Sequence, residues 1–211
     1  MPNTLSHITF LSFADIIGFR YESFFDSIDG ISQDLVGDAV ITLLGSAIQL
    51  VGGPTDGSYA RLRKQVGYQA YTPTWISKVS LKSKVYFVFN VGGDNDSFLS
   101  RGIGGYNEKG VGFRFKSDGI YGYCSDGLNH EEVKIVSKAI GNWNATHLLE
   151  FMFFPANQVL FLVDGVISGS LSTYLPSGTE DSGHIWSAKV GAGGLGVHQM
   201  EFSSIFVYQD L

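Results

Sequence analysis

From Phe24 onward strand signals dominate: the chain alternates apolar and polar positions in short runs, cut by Gly, Asn, Asp and Pro at intervals of roughly eight to twelve residues. A period of two puts one side of a segment in a core and the other in water, which is the mark of a half-buried strand. Val40-Ile41-Thr42-Leu43 and Ala47-Ile48-Gln49-Leu50 flank Gly45-Ser46 and predict a hairpin. A turn cluster, Gly52 to Gly57, leads into Tyr59 to Gln65, where Ala60 and Leu62 point inward and Tyr59, Arg61 and Arg63 outward. Trp75 to Leu81 reads as a strand. Lys84 to Val91 is apolar on both faces, as a central strand would be. Val111 to Lys116 alternates, and Ser117-Asp118-Gly119 turns it into Ile120 to Cys124; Val133 to Val136 follows. The strongest hairpin joins Thr146 to Phe154 with Gln158 to Val163, and Asp164-Gly165 turns that into Val166 to Leu171. The chain closes with Ile185 to Val190 and Phe202 to Tyr208. More than ten short strands without repeats or linkers predict an all-β, jelly-roll-like sandwich of two antiparallel sheets. Only Ile8 to Ile17 has a spacing that fits a helix as well as a strand. The expected division is an N-terminal arm over 1–18 and the sandwich over 19–211.

Composition narrows the class. Gly makes up 27 of 211 residues, and charged residues are 16% against a usual ~25%. With aromatics at 14%, disorder, coiled coils and helical bundles are excluded as classes. Cys124 is the single cysteine, so no intrachain disulfide forms and no zinc-finger spacing exists. The net charge is −6 with no dense basic run, which argues against a nucleic-acid partner. The apolar start carries Asp15 and lacks a basic flank, so neither a secretion signal nor a membrane span is expected. A virion or extracellular particle surface is one location that fits.

Within this pattern, His147-Leu148-Leu149-Glu150-Phe151 followed by Gln158 to Val166 with an internal Val163-Asp164-Gly165 resembles the concanavalin A-like lectin/glucanase superfamily, closest to its laminin-G-like and phage-associated members. Leu162 stands where those members often have Tyr. The resemblance implies that Ser204 to Tyr208 is the closing strand and that it pairs with an opening strand around Glu22 to Asp26. It implies little about activity, because this fold hosts lectins, glycosidases, lyases and structural modules.

The chemistry points away from catalysis. The Glu-x-Asp-x-(x)-Glu strand of the superfamily's retaining glucanases is absent, as are G-x-S-x-G and HExxH. Gly191 to Gly196 matches G-x-G-x-x-G, but no helix pattern follows it, so it reads as a loop. Asp94 and Asp96 could supply oxygens to calcium, as could the Asp26 to Gly30 turn; solvated turn residues are the plainer reading. Sugar recognition needs aromatic faces and polar groups on one surface. Strand alternation nominates Arg61, Arg63, Arg114, Tyr121 and Tyr123 for one such sheet face, and an ordinary exposed sheet face would look the same. On this placement, replacing Tyr121 and Tyr123 by Ala should spare folding and weaken glycan binding.

The resulting reading is a non-catalytic structural or recognition protein, a surface or assembly subunit of the phage, virus or filament kind on a lectin-like sandwich. The alternative is a carbohydrate-binding module, and the third reading is a glycan-active enzyme without the usual motif. Self-association is expected through the arm, whose Ile8, Phe10, Leu11, Phe13, Ile16 and Ile17 need an apolar partner, in the same subunit or in another.

Overall fold

The computed structural model describes residues 19–23, 29–45, 47–65, 69–70, 75–81, 97–102, 109–116, 118–137, 147–180, 184–191, 199–202 and 204–209. Among these the chain forms strands and no helix. The strands are β1 (Phe19–Ser23), β2 (Ser32–Val36), β3 (Val40–Leu43), β4 (Ile48–Val51), β5 (Tyr59–Gln65), β6 (Gln69–Ala70), β7 (Trp75–Leu81), β8 (Ser97–Gly102) and β9 (Gly110–Lys116). There follow β10 (Gly119–Ser125), β11 (His130–Ser137), β12 (His147–Phe154), β13 (Gln158–Val163), β14 (Val166–Leu171), β15 (Thr179–Glu180), β16 (His184–Gly191), β17 (Gln199–Phe202) and β18 (Ser204–Gln209).

Two large antiparallel sheets result. One has six strands in the order β1-β18-β7-β12-β13-β14, the other seven in the order β11-β10-β9-β8-β16-β5-β2. Among the described residues there are also a small β17-β4-β3 sheet and the β15-β6 pair. The core lies between the large sheets, because the alternating apolar faces have nowhere else to leave water. Leu149, Phe151 and Phe153 of β12 and Val159 and Phe161 of β13 face Val111, Phe113 and Phe115 of β9. The Phe113 ring meets Phe161 edge-on at 5.7 Å and lies 6.2 Å from Phe151. Along one side of the sandwich the last strands of the two sheets stack, so that a Cβ on Gly169 of β14 would stand 3.0 Å from Val133 and Ile135 of β11.

Local chemistry sets the corners. Asp164 and Gly165 take φ of 51° and 78°, the two left-handed residues of a tight hairpin turn between β13 and β14. Asp164 also ties that turn to β12: its Oδ1 accepts from the Leu148 N–H at 2.8 Å and its Oδ2 lies 2.8 Å from His147 Nδ1.

The alternation was legible for most strands; the short β6 and β15 were not, the closing run from Phe202 to Tyr208 is divided between β17 and β18 of different sheets, and three further differences stand out. The opening strand is Phe19–Ser23, earlier than the expected Glu22 to Asp26; it pairs with β18 from Phe19↔Gln209 to Ser23↔Ile205. Strand β2 carries Ser32-Gln33-Asp34 at its start and shows no apolar alternation, since it is the last strand on its side of the sheet and buries little. Strand β8 was equally absent from the sequence reading. The expected strand Lys84 to Val91, the segment Ile8 to Ile17 and the arm over 1–18 lie outside the described residues.

Candidate functional site

On β9 and β10 the residues that alternate with the core form one outer face. Cross-strand register places Arg114 beside Tyr121 and Tyr121 beside Lys134, and in the next row Gly112 beside Tyr123 and Tyr123 beside Glu132. On the far side of the same sheet Ala60 and Leu62 of β5 are fully buried, so Tyr59, Arg61 and Arg63 occupy the outer face, with Arg61 paired to Asp34 of β2. All five nominated residues thus share one face of the seven-stranded sheet.

Their surroundings differ from the expectation of an open surface. Arg114 is 5% exposed and Tyr123 2%. Arg114 and Lys116 of β9 both pair with Glu132 of β11, and β10 lies between those strands. The bridge therefore crosses β10 on the side that bears Tyr121 and Tyr123, and helps to close over it. The expected neutrality of the double alanine change is corrected for Tyr123, whose truncation would open a cavity. Tyr121 stays partly exposed. Its hydroxyl donates to Asp118 Oδ2 at 2.7 Å, and the ammonium groups of Lys116 and Lys134 sit 4.6 and 5.2 Å from its ring centroid. A sugar that stacks on this ring has to displace an ammonium.

A second cluster lies on β5 and β2. Asp34 Oδ2 accepts from Arg61 Nε at 2.8 Å and stands 2.7 Å from Arg61 Nη2, while Arg63 Nη2 reaches both Asp34 oxygens at 2.9 and 3.2 Å. The Arg61 guanidinium carbon lies 5.7 Å from the Tyr59 ring centre. Sequence reasoning found the arginines and missed Asp34 and Glu132, because which strand neighbours β5 or β10 is not written in local pattern.

Charge regulation on the face follows these contacts. Lys134 first, then Tyr121, hold the Asp118 carboxyl below its ordinary 3.8. At Asp164 burial pushes upward, but the His147 and Leu148 hydrogen bonds outweigh it and the value is again lowered. Groups depressed on folding stabilise the native state above their unfolded value and lose that contribution as pH falls through the folded one. Thermal midpoints should therefore decline as pH drops below about 3.8. Asp118→Asn with Asp164→Asn should flatten that decline, measured by circular dichroism melts across the acid range.

Cys124 faces the core, with Sγ 3.0 Å from the Thr173 carbonyl. Burial, then Glu131 and Asp126, push its thiol up to about 12. The native thiol should stay unmodified by an aromatic disulfide reagent near pH 8 and react at once in denaturant; prompt reaction in the native state would contradict this placement.

The calcium candidates Asp94 and Asp96 lie outside the described residues. Among the described residues no three His, Cys, Asp or Glu side chains converge on a metal position, and no helix is long and apolar enough to cross a membrane.

A prokaryotic β-1,3-1,4-glucanase (lichenase) derived from a mouse hindgut metagenome superposes with a TM-score of 0.61 over 91% of this chain and 99% of its own, at 15% identity. The fold is that of the concanavalin A-like lectins and glucanases. A protein of unknown function from Shewanella oneidensis MR-1 shares this concanavalin A-like architecture at a TM-score of 0.62 and 12% identity, over 92% of this chain and 87% of that one. So does botulinum neurotoxin type C, which depends on an interaction with two ganglioside molecules to get into cells: TM-score 0.57, 8% identity, 86% of this chain and 43% of the toxin chain. No protein-family model and no curated protein sequence matches the chain.

Proposed function

We propose that this concanavalin A-like domain is a non-catalytic recognition module that binds a glycan on the outer face of its seven-stranded sheet. The observation that carries the reading is that Tyr59, Arg61, Arg63 and Tyr121 lie on that one face, aromatic surface beside guanidinium donors. The likeness to glucanases and to a ganglioside-dependent toxin supports a sugar as the ligand class.

Among the described residues, the carboxylates of the same face argue against hydrolysis. A retaining glycosidase needs two carboxyl groups about 5–5.5 Å apart, one kept protonated. Asp34 on β2 and Glu132 on β11 belong to the two outermost strands, six steps or about 29 Å apart at ~4.8 Å per step. Asp118 is held in its charged form by Lys134, the opposite of what a general acid requires. The test is a glycan array followed by titration of the hits, with reducing-sugar release measured on the same glycans. Binding without turnover is the expected result; turnover of a bound glycan would overthrow the non-catalytic assignment.

A second reading, an assembly subunit, rests on apolar side chains left in water on outermost strands. Val166 and Ile167 of β14 are 66% and 62% exposed, and Leu35 of β2 is 53% exposed. Such strands invite pairing with another copy. Sedimentation of the protein and of Val166→Lys with Ile167→Lys decides it: oligomers lost in the variant favour assembly, and a monomer in both removes the reading.

A further inference from the structure

Among the described residues, the Arg61–Asp34–Arg63 cluster carries one positive charge more than its carboxylate balances. Two guanidinium groups share a single carboxylate, so the trio is net positive on a chain whose overall charge is −6. The arginine side chains are 21% and 25% exposed: open to a ligand, yet withdrawn enough from water for charge to act more strongly than on a free surface.

The donor arithmetic points the same way. Arg61 spends Nε and Nη2 on Asp34, and Arg63 spends Nη2. The Nη1 groups of both arginines are committed to no described hydrogen bond, and the buried Arg63 Nε–H has no acceptor. Structural arginine pairs normally satisfy such donors, because a buried donor without an acceptor is unfavourable. A carboxylate or sulfate can accept from the free donors of both forks. The Tyr59 ring beside Arg61 adds an aromatic surface next to that anion position.

We infer that the ligand of this face is an acidic glycan, and that its carboxylate or sulfate docks on Arg61 and Arg63 while the adjoining sugar ring packs against Tyr59. This rests on the recognition reading above and narrows its substrate class. Asp34 holds the two forks side by side and at the same time competes with the ligand anion for them. Lys116, beside the Tyr121 ring, lies on the same face three strand steps or about 14 Å away, a span suited to an oligosaccharide.

The test is isothermal titration of the whole chain with three hexasaccharides at low salt: an oligogalacturonate, a sulfated carrageenan fragment, which has no carboxylate, and a neutral β-glucan. The acidic probes should bind about tenfold tighter or better than the neutral one, with the advantage shrinking as salt rises. Arg63→Gln should cost the acidic probes about 10- to 100-fold, the range of a charged hydrogen bond, and leave the neutral probe unmoved. Arg63→Lys should recover only part of that loss, since it keeps charge and loses the fork. Asp34→Asn should tighten acidic binding, a change in the opposite direction that general destabilisation cannot produce; melting curves check that each variant folds. The comparison of carboxylated with sulfated probe identifies the anionic group. If the neutral glucan binds as well as the acidic ones and Arg63→Gln changes nothing, recognition stands and the charge inference falls. If no hexasaccharide binds, the recognition reading falls with it. Equal affinity for polyuridylate would mark a general polyanion surface and overturn the inference.

Discussion

Phe161→Ala lowers the stability of the domain by about 3–5 kcal/mol, the range for an aromatic ring removed from a closed core. Phe161 is fully buried at the middle of the sandwich, edge-on to Phe113 of the opposite sheet at 5.7 Å. Its ring lies against the backbone of Gly122 in β10, so close that a Cβ there would stand 2.5 Å from the ring carbons. Gly122→Ala should therefore destabilise on its own by about 1–3 kcal/mol, through overpacking. The two changes should not add: with the ring gone the methyl has space, and the double variant should be more stable than the sum of the singles predicts. Urea titrations of the four proteins measure this. Strict additivity would show that the ring does not lie against Gly122.

Glu132→Gln should cost about 3–5 kcal/mol, as large an effect from a residue on the opposite side of the sheet. Glu132 bridges Arg114 and Lys116 and is only 13% exposed, with Arg114 at 6% by side chain. Removing the negative charge leaves two cations crowded in a partly desolvated place, a far greater penalty than breaking a surface pair. Replacing all three charges, Arg114→Met and Lys116→Met with Glu132→Leu, should recover much of the loss, because the desolvation of the charges disappears together. Melting temperatures in low and high salt measure both. A loss under ~1 kcal/mol that vanishes in salt would identify the bridge as a surface pair instead.

The alternation of apolar side chains was enough to place most strands, their inward faces and the all-β class. Tyr59 to Gln65 and Trp75 to Leu81 were read with the bounds the structure shows, and Ala60 and Leu62 are fully buried as the pattern implied. Asp164-Gly165 announced its own turn, because two successive left-handed residues need such a pair. The outward placement of Arg61, Arg63, Arg114, Tyr121 and Tyr123 was likewise legible, since period two fixes sidedness within a strand.

Only the tertiary structure decided which of these residues meet. Asp34 lies 27 positions before Arg61 in the chain, and Glu132 lies 18 after Arg114; each pair forms through strand order and register. Local pattern records which face a side chain takes and carries nothing about the neighbouring strand. For the same reason the sequence could not show that Tyr123 and Arg114 are covered, or that the Tyr121 ring is flanked by two ammonium groups. Burial on an outer face depends on side chains that reach across from other strands, and that reach exists only once the sheet is assembled.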